Sequence, residues 1–333
     1  MKQTMHYLHK TVRLIDNYVI ARLQKRPSTA LFWYLPEPAR IKTLDDLLEY
    51  KNSSSVAPFY LIDYRNKLKY PLQNSDGIII LPYEAPIGHQ VNPEAAFQYA
   101  LGLHDMFYHT QHIAYKDKFF HYANYFLLNQ TNNGLWHYEF DWFATKAPWS
   151  SALAQARGAS VMLRAWLHSK NERYLNSAKN AVKSFSLATD AGGFLHPFTH
   201  EDCHYYEEYP AMPTGVINGF MASLISLWEL HYWLNEKWLT TLWQNGLAAL
   251  EKMLPYYSTG WWSLYDRDIN TPIQNVNSPR YHQMEMGYLQ VLSVLSGSEK
   301  IFSEFKNRYY QYKRVSSRGR ALSHKFIRKI LYK

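Results

Sequence analysis

The stretch ALAQARGASVMLRAWLHSK, followed by ERYLNSAKNAVKSFSLA and closed by AGGFLHPF, occupies residues 152–198 and decides the architecture. Both long segments carry apolar residues at the three-and-four spacing of a helix, and the glycine-aromatic piece ends the pair. The unit recurs. Upstream, PEAAFQYALGLHDMFYHT and DKFFHYANYFLLNQ lead to NNGLWHYEFDW, and downstream VINGFMASLISLWELHYWL and TTLWQNGLAALEKMLPYYS lead to TGWWSLYD. A final helix, HQMEMGYLQVLSVLS, is followed by a partner rich in Phe and Tyr. Self-similarity at about sixty residues signals repeated helical hairpins that bury a common core by stacking. The expected fold is therefore mainly α: an incomplete (α/α) toroid of repeated helical hairpins with a small, mixed N-terminal segment. An open helical solenoid satisfies the same period. In a toroid the glycine-aromatic turns gather at one mouth of the ring.

Around that repeat the chain divides into three parts. Residues 1–90 read as an N-terminal segment packing on the toroid: a basic helical start to about Arg26, a Pro-containing stretch, and strand-like pieces around residues 59–64 and 78–81. Residues 91–315 form the toroid, and residues 316–333 a basic tail. From Lys306 onward the chain has no acid but carries Lys313, Arg314, Arg318, Arg320, Lys325, Arg328 and Lys329, so it reads as a solvated tail or terminal helix outside the catalytic machinery, or as a contact for an anionic surface.

Composition bounds the partners. With 333 residues, 47% hydrophobic and 19% charged, the chain has ample material for a core and lacks the signature of disorder. Its 17% aromatic content suits either a large aromatic core or a groove that stacks on sugar faces. A formal charge of +9 favours anionic partners: acidic glycan, nucleic acid or lipid surface. No nucleic-acid motif accompanies it, so nucleic acid ranks last. The single cysteine, Cys203, excludes an internal disulfide framework. No signal-peptide pattern and no run of membrane-spanning length occurs, so the expected location is the cytoplasm or the inner membrane face, with peripheral contact through the basic tail. A homodimer is compatible with all of this.

The histidine clusters HDMFYHTQH and HEDCHYY lack a partner set at metal-binding spacing, so no metal site is expected. Neither a phosphate-cradling glycine loop nor a nucleophile elbow occurs. What stands out is HEDCHYYEEYP just before the helix VINGFMASLISL, with Glu207, Glu208 and Tyr209 in the connection that a toroid exposes at its mouth. Trp261, Trp262, Tyr265, Asp266 and Arg267, then Arg280, Tyr281, His282 and Glu285, occupy equivalent places. Taken one at a time, these tyrosines read as packing residues and these carboxylates as helix caps. Their joint placement in successive repeats favours a site.

Those residues carry a resemblance. EEYPAMPTGVINGFMASLISLWEL, LPYYSTGWWSLYD and RYHQMEMGYLQVLSVLSGSEKIFSEFKNRYYQY resemble segments of the catalytic C-terminal region of D-glucuronyl C5-epimerases, and APWSSALAQARGASVMLRAWL and PEAAFQYALGLHDMFYHT are similar more loosely. The likeness runs over residues 85–315 and matches a compact form without the large insertion of animal members. It implies an isomerase that inverts C5 of D-glucuronate to L-iduronate within a heparosan-like acidic polysaccharide, with no cofactor. Carried over, the acid-base residues fall on Glu208, Tyr209, Tyr265 and Tyr281. Substrate contacts fall on Asn218 and His282, with Glu207, Trp149 and Gln98 in the same segments. Departures occur: the loop from Tyr209 to Asn218 is about a residue shorter, Ala222 stands where members often carry Tyr, and Arg267 lies one position early.

The chemistry asks for such a set. Removing the proton beside a carboxylate creates a dianionic enediolate, which cations or strong donors must stabilise. Inversion needs a base on one face and an acid on the other, and tyrosine serves where a neighbouring cation lowers its pKa. Arg157, Arg267 and Arg280 are the candidates to neutralise the carboxylate, Arg280 first. A polysaccharide lyase that eliminates the C4 oxygen after the same proton abstraction stays open, as does a non-catalytic acidic-glycan-binding module.

Overall fold

The computed structural model describes residues 60–332 apart from residues 269, 270, 298 and 313, with isolated positions before residue 60. The basic helix expected up to about Arg26 lies almost wholly outside the described residues. Antiparallel hairpins follow one another: α1 Pro93–Thr110 with α2 Ile113–Leu128, α3 Ala152–Ser169 with α4 Glu172–Lys183, α5 Ile217–Leu234 with α6 Lys237–Met253, and α7 Pro279–Ser296 with α8 Glu299–Gln311. A last helix, α9, spans Val315–Tyr332.

Each start and stop has a local cause. Asn92, Ser151 and Ser278 cap α1, α3 and α7 by accepting from the backbone N–H of Ala95, Ala154 and Tyr281. Left-handed residues Gln111, Lys170, Asn235 and Gly297 end α1, α3, α5 and α7. α5 has no side-chain cap; the N–H of Ile217 instead donates to the carbonyl of Tyr265 at 3.2 Å.

The first helix of each hairpin packs on the first helix of the next, α1 on α3, α3 on α5 and α5 on α7, while the second helices lie outside them. Burial follows that order. Every residue of α5 from Ile217 to Leu230 is buried, whereas α4 buries one stripe of Tyr174, Leu175, Ser177, Ala178, Ala181 and Val182. The fold is thus an incomplete α/α toroid. Its seam lies between α1 and α7, and the N-terminal segment spans it. β1 (Arg40–Ile41) packs on α7 and pairs antiparallel with β2 (Ile62–Asp63), and the 3-10 turn Arg65–Leu68 packs on α1. Tyr60, Leu61, Ile62 and Tyr64 are buried there. Of the expected strand regions, residues 59–64 hold β2, while residues 78–81 only touch β3 (Leu81–Pro82), whose partner β4 (His89–Gln90) lies outside both.

Inside the ring, Arg164 on α3 donates to both oxygens of Glu229 on α5 at 2.8 and 2.9 Å, and the guanidinium lies 4.3 Å over the Tyr60 ring. The connections from outer to inner helices carry the glycine-aromatic turns: the Tyr138↔Trp149 bridge, β5 (Leu195–Pro197) with β6 (His204–Tyr206), and the hairpin bridged at Ser258↔Ser263 and Leu264↔Val276. All deliver the chain to an inner-helix N-terminus, so they share one mouth.

The basic C-terminal run is not a free tail. α9 packs back on the 261–276 hairpin, with Ala321 fully buried, Arg320 4.0 Å over Trp261, and Arg328 paired with Asp268 at 2.9 Å. A basic, acid-free run reads as solvated from sequence because nothing in it names the acids and rings it meets. Among the described residues, no helix is long and apolar enough to cross a membrane.

Candidate active site

The mouth of the ring is where the four inner-helix N-termini converge, each presenting the positive end of its dipole. Glu94 and Gln98 arrive on the first turns of α1, Trp149 just ahead of α3, Asn218 and Gly219 on the first turn of α5, and Arg280 and Tyr281 on the first turn of α7. Glu208 and Tyr209 come from the loop between β6 and α5, and Tyr265 from the hairpin before α7.

Glu208 is 8% exposed, and its carboxyl lies over Gly219 so closely that any Cβ there would strike Oε2. Burial pushes its pKa up to about 8, with the Tyr209 hydroxyl pulling the other way and the charges of Glu207 and Glu94 adding to the rise. Tyr265 and Tyr281 meet edge to face at 5.3 Å, and Tyr209 tilts against Trp149 at 5.8 Å. Tyr281 is 38% exposed, yet desolvation lifts its pKa to about 12. Burial also holds Tyr209 and Tyr265 well above the ordinary phenol range, reinforced by Glu208. Glu208, Tyr209, Tyr265 and Tyr281 therefore form one electrostatically coupled group. The expectation of a cation-lowered tyrosine is reversed here: desolvation outweighs any nearby cation, and the phenols are held neutral.

Of the three arginines, Arg280 bears on Tyr281, lowering its pKa against burial. Arg157 is 3% exposed inside the ring, with Nε 3.8 Å from Glu94 Oε1 and NH2 3.4 Å from the Tyr288 hydroxyl. Arg267 points elsewhere, donating to the Tyr256 carbonyl at 3.0 Å and lying 3.0 Å from His200 Nε2, because its hairpin turns it to the outer rim.

Three expected substrate contacts turn out to be committed to the fold. Glu207 has no exposure, and its carboxylate accepts from the Tyr205 hydroxyl and from the N–H groups of Tyr209, Thr214 and Gly215 at 2.6–3.0 Å, so it shapes the loop rather than facing the groove. His282 stacks on Trp262 at 4.0 Å, with Nδ1 2.7 Å from Ser263 Oγ and Nε2 donating to the Tyr309 carbonyl at 2.9 Å. Trp149 has one face taken by Tyr138 at 4.0 Å and its N–H by the Phe140 carbonyl, leaving the Tyr209 side. Gln98 donates to Glu94.

Sequence reasoning missed Glu94. An acid in a first helical turn reads as complementing the dipole, but this one is desolvated, its pKa raised by burial, and its charge is felt by Glu208, Tyr281 and Tyr288. Three buried polar atoms here make no hydrogen bond among the described residues: Glu208 Oε2, Asn218 Nδ2 and Arg157 Nε, the last keeping only its 3.8 Å ion pair with Glu94. An acceptor, a donor and a cationic donor left without a hydrogen bond in one region suit a polar, anionic ligand. Among the described residues, no group of three or more His, Cys, Asp or Glu is placed to hold a metal ion.

Residues 129–311, which carry Glu208, Tyr209, Tyr265 and Tyr281, match the model of the family described as D-glucuronyl C5-epimerase C-terminus. The chain belongs to that family. D-glucuronyl C5-epimerase of Caenorhabditis elegans is 33% identical over 167 residues, which is 44% of this chain and 27% of that protein. The protein titled Uncharacterized protein MJ1128 of Methanocaldococcus jannaschii is 29% identical over 137 residues, 40% of this chain and 44% of that one. The epimerase-family chain thus spans well under two thirds of either relative. Among solved structures, the unsaturated glucuronyl hydrolase of Bacillus sp. GL1 aligns over 68% of this chain and 60% of its own, at 12% identity and a TM-score of 0.45. The glycoside hydrolase family 76 mannosidase Bt3792 of Bacteroides thetaiotaomicron aligns over the same shares at 12% identity and 0.42.

Proposed function

We propose that this chain is an isomerase that inverts C5 of D-glucuronate units to L-iduronate within a heparosan-like acidic polysaccharide. The observation that carries the reading is the convergence of Glu208, Tyr209, Tyr265 and Tyr281, from family-matched segments, on a mouth built of helix N-termini. That mouth attracts a uronate carboxylate through the positive ends of the helix dipoles, with Arg280 and Arg157 as cationic contacts.

In the proposed reaction the C5–H bond breaks, its proton passes to one group of the set, and the electron pair moves onto the substrate carboxylate as an enediolate. A proton from a second group then forms the new C5–H bond on the opposite face. Glu208, with a pKa of about 8, takes and returns a proton near neutrality at little cost. The neutral phenols suit the donor role, since a phenol held above its ordinary pKa keeps its proton until the developing carbanion claims it. Glu208 with Tyr209 comes from the loop ahead of α5, and Tyr265 with Tyr281 from the last hairpin and α7; in this reading one pair works on each face of the uronate. One proton leaves and one returns, which balances without a redox cofactor.

The test is incubation with heparosan, and with N-sulfated heparosan, in deuterated water, followed by proton NMR of the uronate. Deuterium at C5 with new iduronate signals supports the reading. A vinylic proton signals elimination and hence a lyase, and binding without exchange signals a glycan-binding module. Tyr265→Phe and Tyr281→Phe should each retain the fold and lose most exchange; full activity in both removes the tyrosines from acid-base roles.

A further inference from the structure

Helix α9 lies beyond the family-matched residues and reaches into the site with one side chain. Lys325 Nζ sits 4.9 Å from the centroid of the Tyr265 ring, and it donates to Asn275 Oδ1 at 2.9 Å and to the Val276 carbonyl at 3.1 Å. Asn275 is the strand partner of Tyr265: its carbonyl accepts the Tyr265 N–H at 2.7 Å, and its Nδ2 donates to Asp266 at 2.6 Å. Arg328, one turn on, pairs with Asp268 at 2.9 Å. α9 therefore grips both arms of the hairpin that carries Tyr265. The Tyr265 ring thus meets both the lysine ammonium and, edge to face at 5.3 Å, the Tyr281 ring.

We propose that Lys325 is a positioning residue for Tyr265, fixing its ring and placing an ammonium over it as the phenol gains or loses its proton. This rests on the reading that Tyr265 exchanges a proton with substrate. The groups bearing on Tyr265 are Glu208 and Tyr209 from the loop ahead of α5, Tyr281 and Glu285 from α7, Asp266 on its own hairpin, and Lys325 from α9. The acids and phenols among them all oppose a phenolate. A cation on the ring face opposes them and attracts the neutral ring as well.

Two substitutions in the full chain separate charge from hydrogen bonding. Lys325→Gln keeps a donor for Asn275 and Val276 but removes the charge; Lys325→Arg keeps both. On heparosan in deuterated water, Lys325→Gln should lower kcat for C5 exchange about ten-fold or more with KM within about two-fold, and should move the alkaline limb of the pH profile upward, while Lys325→Arg restores most of the rate. A second readout needs no turnover. In chain labelled with fluorotyrosine, the fluorine resonance assigned to residue 265 by its loss in Tyr265→Phe should titrate at higher pH in Lys325→Gln and near the wild-type pH in Lys325→Arg. Unchanged titration and unchanged exchange in Lys325→Gln overturn the proposal, as does equal impairment of the Gln and Arg variants. A wild-type chain that exchanges no C5 proton, yet shows the stated shift in the fluorine titration, leaves the role of Lys325 standing and removes the epimerase reading.

Discussion

The sharpest demand on this site falls on a residue with no side chain. In Gly219→Ala the new methyl would lie 2.9 Å from the carboxyl carbon of Glu208 and closer still to Oε2. Restoring an ordinary contact of 3.4–4 Å moves that carboxyl by about 1 Å. The obstacle is the far end of a flexible side chain, so the steric cost to the fold is about 1 kcal/mol, the low end for overpacking. Replacing glycine by alanine in a helix returns about 0.5–1 kcal/mol. Stability should therefore change by less than about 1 kcal/mol. Catalysis should not be so forgiving, because a misplacement of about 1 Å in a reacting group costs on the order of a hundred-fold. The assay is C5 deuterium exchange on heparosan beside urea unfolding of the same preparation. Wild-type exchange in a folded Gly219→Ala variant would refute the placement of Glu208 at the reacting carbon; a large fall in the unfolding midpoint would refute the claim that only the carboxyl yields.

Other outcomes follow from the same geometry. Gly158→Ala drives a methyl into the rings of Trp136 and Phe97, with Phe97 Cζ at 2.7 Å, and rings locked in the core cannot swing aside; the expected loss is about 1–3 kcal/mol or more, read by urea unfolding. Arg164→Met strands the buried Glu229 carboxylate and should cost about 3–5 kcal/mol, most of it recovered in a double variant that also carries Glu229→Met, measured the same way. Burial pushes Glu285 up to about 8, above the about 4.3 of an unfolded chain, so its contribution to stability is complete below about pH 4.3 and is lost as pH rises through 8. Glu285→Gln keeps an acceptor for Asn277 Nδ2 and cannot ionise, so its unfolding free energy should fall less steeply than wild type between pH 5 and 9, by a few kcal/mol on the order expected for a buried acid.

The hairpin repeat was legible because its period survives in apolar spacing, and the mouth because glycine-aromatic turns and polar tyrosines share that period. Convergence of Glu208, Tyr209, Tyr265 and Tyr281 could be anticipated for the same reason. Proximity in sequence to such residues misled elsewhere: Glu207 and His282 sit beside them, but their side chains leave the backbone on the packed side and are saturated by loop N–H groups or by Ser263 and Tyr309. The direction of the tyrosine pKa shifts was illegible, since sequence names neighbours but not the solvent they exclude. Glu94 was hidden by a plausible role in a first helical turn, and Lys325 by the basic run around it, which reads as solvated. Only the ring closure brings Glu94 within reach of Glu208, and only the fold-back of α9 seats Lys325 on Tyr265.

The seam of the ring also sets an order of assembly. β1 packs on α7, more than two hundred residues later in the chain, while the 3-10 turn after β2 packs on α1. During synthesis the 3-10 turn can dock once α1 exists, but β1 has no partner on α7 until residues 279–296 are made, so hairpins accumulate as an open arc. Closure then depends on a contact between segments more than two hundred residues apart. A chain stopped before Pro279 keeps most of its helices but lacks the surface on which β1 docks, and exposes on α5 a face meant for α7. Quality control of this protein is thereby concentrated at one joint, where β1 meets α7.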